Sequence, residues 1–181
     1  MARSEIGTIE TARLVGRPLR PGDEPLLAAV LQDEQASSTV GGLRTDDEVR
    51  TLLGRMLDHS EAHGFGTWGF FERESGRYVG YGGLLRTKAG GELNVEIMYA
   101  LVPAFWGRAL ATEIAEQLVR VGFETLGFAR LVSYTVPENR PSRRVMEKCG
   151  FVFEREIVYA STPHVLYRLD ACSQQELRRT A

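Results

Sequence analysis

The stretch from Asn94 to Glu113 constrains this chain more than any other. Val95, Ile97, Tyr99 and Leu101 alternate with Glu96, Met98 and Ala100, and a period of two puts the two sets on opposite faces of a strand. Pro103 ends that strand, because it has no N–H to give to a ladder. Small residues follow at Gly107, Ala109 and Ala111, and then Leu110, Ile114, Leu118 and Val121 recur at spacings of four, four and three. That is the apolar stripe of a helix. A strand that runs through a small-residue loop into a helix start presents unpaired backbone N–H groups and the positive end of the helix dipole. Such a place suits a phosphate.

The flanking chain supplies the rest of one domain. Leu14 to Leu19 reads as a first strand, and Asp23 is placed to cap a helix carrying Leu27, Val30 and Leu31. After the break at Gly41-Gly42, Thr45 and Glu48 form a capping-box pattern that opens a second helix, with Val49, Leu52, Leu53, Met56 and Leu57 on its buried stripe. Thr67 to Glu72 and Arg77 to Leu85 are strands joined by the turn Arg73-Glu74-Ser75-Gly76. Beyond the central unit come a strand from Leu131 to Val136 and a short helix capped by Asn139 and ended at Gly150. Phe151 to Tyr159 and His164 to Leu169 close the chain as a hairpin. The order β-α-α-β-β-β-α-β-α-β-β is α+β. We expect a flexible N-terminus over 1–10, a single domain over 11–170 and a tail over 171–181, in which Gln174 to Arg179 can form a short helix if docked.

At 181 residues the chain is long enough for one well-buried core and short for two. A net charge of -2 gives no basic face for a nucleic acid. No apolar run approaches the roughly 20 residues of a membrane span, and Met1 to Glu5 lacks the apolar core of a secretory signal. Cys149 and Cys172 make no disulfide framework and fit a reducing compartment, so a cytoplasmic location is expected.

Three segments together resemble a known family. Phe105-Trp106-Gly107-Arg108-Ala109-Leu110-Ala111-Thr112-Glu113 is similar to the acetyl-CoA pyrophosphate loop of the GNAT superfamily, in the form found in ribosomal-protein N-terminal (alanine or serine) acetyltransferases. Asn139-Arg140-Pro141-Ser142 leading to Glu147-Lys148-Cys149-Gly150-Phe151 resembles that group's Asn-x-x-Ser and Glu-Lys-x-Gly-Phe block. Thr11-Ala12-Arg13-Leu14 followed by Arg20-Pro21-Gly22-Asp23 resembles its opening strand and turn. The order and gaps match over roughly Thr11 to Asp170. The loop departs from the family pattern Gln/Arg-x-x-Gly-x-Gly/Ala in two places. Trp106 replaces the leading polar residue, and Ala109 replaces the central glycine, adding a methyl group where the diphosphate passes.

The resemblance implies the GNAT-type acyl-CoA N-acyltransferase fold, a central mixed, mostly antiparallel sheet flanked by helices. It implies acetyl-CoA as cosubstrate, a primary amine as acceptor and no metal. Pantetheine would pair with backbone at Leu101 and Val102. The pyrophosphate would sit on Gly107, Arg108, Ala109, Leu110, Ala111 and Thr112, with Arg108 and Arg143 adding charge, and Asn139 would reach the pantetheine arm. The first expected acceptor is a protein N-terminal α-amine. A small-molecule amine (antibiotic, polyamine or amino acid) and a non-catalytic acyl-CoA sensor are the alternatives. Neither a nucleic acid nor a membrane is an expected partner, and homodimer formation is left open.

Two residues are candidates for the chemistry. Glu96 sits in mid-strand among apolar neighbours, where desolvation would raise its pKa towards that of a general base. Pairing with an arginine, or a solvated strand face, is the plainer reading; the resemblance favours the base. Ser142 is either a second helix cap or the proton donor to the departing thiolate, since Met146 stands at the family's usual tyrosine position. Cys149, near the negative end of a helix, is expected to be structural. His59, His63 and His164 share no ligand spacing. Asp33-Glu34 and Asp46-Asp47-Glu48 either draw in a cationic amine or simply favour helix first turns. Presenting a neutral amine at pH 7 costs about 1 kcal/mol for an α-amine and about 4.6 kcal/mol for a lysine. A single glutamate base suits the easier task.

Overall fold

In the computed structural model the described residues are 6–38 and 40–172. The proposed tail helix at Gln174 to Arg179 lies outside them. The strands are β1 (Ile9–Glu10), β2 (Leu14–Pro18), β3 (Thr67–Glu72), β4 (Tyr78–Thr87), β5 (Asn94–Leu101), β6 (Arg130–Thr135), β7 (Val152–Tyr159) and β8 (Thr162–Asp170). They form one sheet in the order β1-β2-β3-β4-β5-β6-β8-β7. Every neighbouring pair is antiparallel except β5 with β6, which run parallel. The helices are α1 (Glu24–Leu31), α2 (Glu34–Ser37), α3 (Asp46–His63), α4 (Leu110–Arg120) and α5 (Arg140–Lys148). Sheet and helices give the expected α+β arrangement.

The period of two in β5 divides the molecule. Ile97 and Leu101 pack in one core with Leu110, Ile114 and Leu118 of α4 and Met146 of α5, with Tyr99 against it. Ala100 and Tyr81 pack in a second core with Leu27 and Val30 of α1 and Val49, Leu53 and Met56 of α3, with Met98 against it. Glu96 therefore shares the α1/α3 face with Met98 and Ala100. It lies on the side of the sheet away from α4 and α5.

Local chemistry explains most of the boundaries. The Thr45 hydroxyl accepts from the Glu48 N–H at 3.3 Å while the Glu48 carboxylate accepts from the Thr45 N–H at 2.8 Å, so the capping box opens α3 as expected. Gly64, at φ 74°, closes it. Helix α4 is prolonged by a π-helical turn over Val121–Thr125 before Gly127.

Three expectations need correction. Ile9 and Glu10, expected in a flexible segment, pair with Gly16 and Val15 as an edge strand, and Glu10 also bonds Arg73 at 2.7 Å. Asp23 sits at the head of α1 but makes no side-chain cap. Its carboxylate instead takes two bonds from Arg17 at 2.6 and 2.8 Å and one from the Arg20 N–H at 2.9 Å. Burial opposes its charge, yet these donors hold its pKa below the usual carboxylate range. The short helix α2, capped by Asp33, was not expected; at four residues it has no apolar period to read.

Glycines let β4 pass close beneath β5. A Cβ on Gly80, whose φ is +154°, would lie 2.2 Å from the Ala100 carbonyl oxygen. Gly80→Ala should push β5 off its neighbour and cost about 1–3 kcal/mol. Urea unfolding would show this as a lower midpoint with an unchanged slope.

Candidate active site

A cleft of about 1080 Å³ opens where β5 and β6 part. The two strands are in register only where Glu96 stands opposite Val132. One residue further on, the Ile97 carbonyl accepts from the Ser133 hydroxyl at 2.9 Å, a side-chain bond where a ladder bond would otherwise run. On its other edge β5 remains paired with β4, and the Val102 N–H donates to the Val79 carbonyl at 2.9 Å. Antiparallel alternation then turns the Ala100 backbone towards Tyr81 and the Tyr99 and Leu101 backbones into the gap. The Leu101 carbonyl is already occupied by the Trp106 indole N–H, 2.9 Å away. Of the pair named for pantetheine, Leu101 thus has its N–H to offer. Val102 has spent its N–H inside the sheet and does not line the cleft.

Past Leu101 the chain turns through the small-residue loop. Gly107 has φ 73°, and Ala109 is also left-handed at φ 58°, ψ 16°. That conformation costs an L-residue about 1–2 kcal/mol, so backbone shape is what a glycine at this position would serve. No side chain caps α4, and the N–H groups of Leu110, Ala111 and Thr112 have no partner within the helix. All three residues line the cleft, together with Gly107 and Ala109. The first turn is anchored from behind by Glu113, which accepts from Thr11 at 2.6 Å and from the Arg13 backbone at 2.8 Å.

The expected arginines lie elsewhere. Arg108 pairs with Glu72 and lies 5.2 Å from the centre of the Phe105 ring, outside the cleft lining. Arg143 donates to the Tyr167 hydroxyl at 3.1 Å and the Pro137 carbonyl at 3.2 Å, also outside it. Each helical residue turns about 100°, and the α5 face that does meet the cleft carries Ser142, Arg144, Val145 and Lys148.

Glu96 has a small exposed surface towards the cleft and is enclosed elsewhere. Burial raises its pKa to about 7, against a hydrogen bond from Tyr134 that lowers it. Tyr134, Tyr159 and His164 form an aromatic wall beside it, with ring centres 4.9 to 5.8 Å apart. On the opposite face of the sheet, the Tyr99 hydroxyl lies 3.1 Å from both the carbonyl and the hydroxyl of Ser142. Burial raises the Tyr99 pKa and keeps that group protonated. Asn139 accepts from the Ser142 N–H at 3.2 Å and donates to Thr135 at 3.0 Å. It is a helix cap that also lines the cleft. Cys149 is buried, which pushes its thiol up to about 12, with Glu116 adding to the shift. A thiol so protonated is a poor nucleophile.

The family model for the acetyltransferase (GNAT) domain matches residues 13–152. The chain belongs to the GNAT acetyltransferases. Among its relatives, the FsC-acetyl coenzyme A-N(2)-transacetylase of Aspergillus fumigatus is 34% identical over an alignment that covers 79% of this chain. This chain spans 64% of that relative's length. An uncharacterized N-acetyltransferase of Bacillus subtilis, YoaA, is 25% identical over 86% of this chain and 91% of its own. The crystal structure of an acetyltransferase from Agrobacterium tumefaciens superposes with a TM-score of 0.78 at 28% identity, covering 91% of this chain and 94% of that one.

Within this GNAT site, the sequence reading missed Tyr99, Tyr134, Arg144 and Lys148. The i,i+4 spacing of Arg144 and Lys148 was the available signal, and Tyr99 was legible only as part of an apolar alternation. The acidic groups near α2 and α3 are committed elsewhere. Asp33 caps α2, Asp46 accepts from Gln32 at 2.7 Å, and Asp47 pairs with Arg50 at 2.5 Å. His59 and His63, separate in the sequence reading, lie one helical turn apart with ring centres at 4.5 Å and planes tilted by 59°. The His59 Nε2 accepts from the Arg86 N–H at 3.0 Å. Among the described residues, no three His, Cys, Asp or Glu gather as a metal site, and no helix is long and apolar enough to cross a membrane.

Two outcomes follow from this geometry. A β-branched residue cannot hold the left-handed turn, so Ala109→Val should weaken acetyl-CoA binding about tenfold or more by calorimetry. Glu96 binds a proton more tightly folded than unfolded, so its ionisation erodes stability as pH rises from the ordinary carboxylate value to about 7. Glu96→Gln should therefore melt at a higher temperature than the parent protein above pH 7. The advantage should shrink towards pH 5.

Proposed function

We propose that this protein transfers an acetyl group from acetyl-CoA directly to a primary amine, with a protein N-terminal α-amine as the first acceptor. One observation carries the reading. Glu96, with a pKa raised to about 7, stands in the same cleft as the uncapped start of α4 but on the opposite sheet face from Ser142. A carboxylate of that pKa is half ionised at neutral pH and can accept a proton there.

Acetyl-CoA would lay its pyrophosphate on the N–H groups of Leu110, Ala111 and Thr112, with Arg144 and Lys148 of α5 adding positive charge. Its pantetheine would follow β5, where the Leu101 N–H faces the gap, and reach past Asn139. The amine nitrogen attacks the thioester carbon, and the oxyanion so formed is stabilised by backbone N–H groups of the parted strand. The carbon–sulfur bond then breaks. The proton lost by nitrogen goes to Glu96, and the thiolate takes one from the hydroxyl pair of Ser142 and Tyr99. Solvent restores both. A small-molecule amine is the second reading, favoured by Val40, Gly41, Gly42 and Arg44 on one side and Tyr159, Ala160, Thr162 and His164 on the other, which wall the cleft.

Glu96→Gln keeps the shape of the side chain but cannot take the proton. Turnover should fall by about 10²–10⁴-fold at pH 7 while acetyl-CoA affinity stays within about twofold. The parent rate should climb with pH through about 7, and that limb should vanish in the variant. Near-full activity of Glu96→Gln with saturating amine would overturn the assignment.

A further inference from the structure

The acceptor side of the cleft carries an unusual balance of charge. Among the described residues that line the whole cleft, Glu96 is the sole carboxylate, against Arg44, Arg144 and Lys148. Arg144 and Lys148 belong to α5, on the face opposite Glu96. Arg44 belongs to the Glu96 side. Its charge acts on the Tyr81 hydroxyl, and Tyr81 is the register partner of Ala100 in the α1/α3 core.

The backbone of Arg44 is fixed, and its guanidinium stays lightly engaged. The Arg44 backbone N–H donates to the Leu31 carbonyl at the end of α1, 3.1 Å away. Its Nη2 lies 3.2 Å from where a Cβ on Gly41 would be, so the group is folded close beneath the glycine turn. Its pairing with Glu48 is loose, at 3.6 Å, and the Glu48 carboxylate is chiefly engaged in capping α3. The same α1/α3 side of the cleft is otherwise lined by apolar and aromatic residues, among them Val30, Met56, Tyr81 and Met98. A polycation entering here would find one carboxylate for several ammonium groups and would meet Arg44 as a like charge. A molecule with one amine and one anion would meet a partner at each end.

We infer that the acceptor is a monoamine that also carries an anionic group, a carboxylate in the simplest case, and that Arg44 binds this group while Glu96 faces the amine. The inference rests on the proposed acetyl transfer and narrows its acceptor. Two sources share that chemistry: a peptide N-terminus with Asp or Glu among its first residues, and a small amino acid.

The test is a panel of acceptors assayed by release of free thiol from acetyl-CoA. It would contain the peptide Ser-Glu-Ala-Ala-amide, the same peptide with Gln or Lys in second place, free glutamate, its diamide, and spermidine. The acidic member of each pair should exceed its neutral counterpart in kcat/KM by about tenfold, with the lysine peptide and spermidine lower still. Turnover of the acidic peptide but not free glutamate assigns a peptide source, and the reverse assigns a small molecule. Arg44→Glu should raise KM for the acidic acceptor about tenfold or more and bring the lysine peptide above it, with acetyl-CoA affinity as the check on folding. Equal use of acidic and neutral acceptors by the parent protein, or a preference for spermidine, would overturn the inference and leave acetyl transfer standing, whatever the variant does. Failure of every amine to release thiol would overturn both.

Discussion

The site depends on how two parallel strands come apart. β5 and β6 share a register at Glu96 and Val132, after which the Ser133 hydroxyl replaces the ladder by taking the Ile97 carbonyl. The gap stays open because each strand is held from its far side. β5 has eight residue pairs with β4, and β6 has six with β8. Two stiff half-sheets hinged at one residue pair leave a slot lined by unpaired backbone groups, which water or a ligand must satisfy.

The alternation of β5 then assigns a task to each side of that slot. Even-numbered residues put Glu96 on the face walled by α1, α3 and the aromatic group at Tyr134, and odd-numbered residues put Tyr99 beside Ser142 on the face of α4 and α5. Three residues along one strand, from Glu96 to Tyr99, thus separate the proposed proton acceptor from the proposed donor by the thickness of a sheet. A carboxylate and two hydroxyls set side by side would bond one another. Kept apart, the carboxylate makes no bond to that hydroxyl pair, and desolvation can tune it without a counter-charge.

Most of this frame was legible before any coordinates. Period two in Val95 to Leu101, the small-residue loop, the capping box at Thr45 and Glu48, and Asn139 as a cap are local signals, and local structure obeys them. What escaped depends on residues distant in sequence. Asp23 is the nearer exception: it looked like a helix cap, yet Arg17, six positions earlier on β2, takes its carboxylate. Arg108 and Arg143 looked like phosphate ligands, yet Glu72 and Tyr167 hold them outside the cleft. The rotation of α5 brought Arg144 and Lys148 to the cleft instead, a choice set by which side of the helix carries Met146 and Cys149 into the core. Ala109 was read as a matter of space. Its positive φ makes it a matter of backbone shape as well.

The two indoles of this chain live in opposite surroundings. Trp68 is 1% exposed and its N–H is held by the Gly7 carbonyl, whereas Trp106 is 46% exposed at the mouth of the cleft and leans on Leu101. Their fluorescence should therefore divide by colour, blue from the core and red from the water-facing ring. Whatever fills the cleft would alter only the red part, while loss of the fold would move the blue. The protein thus carries its own optical gauge, in which occupancy and integrity are read at different wavelengths.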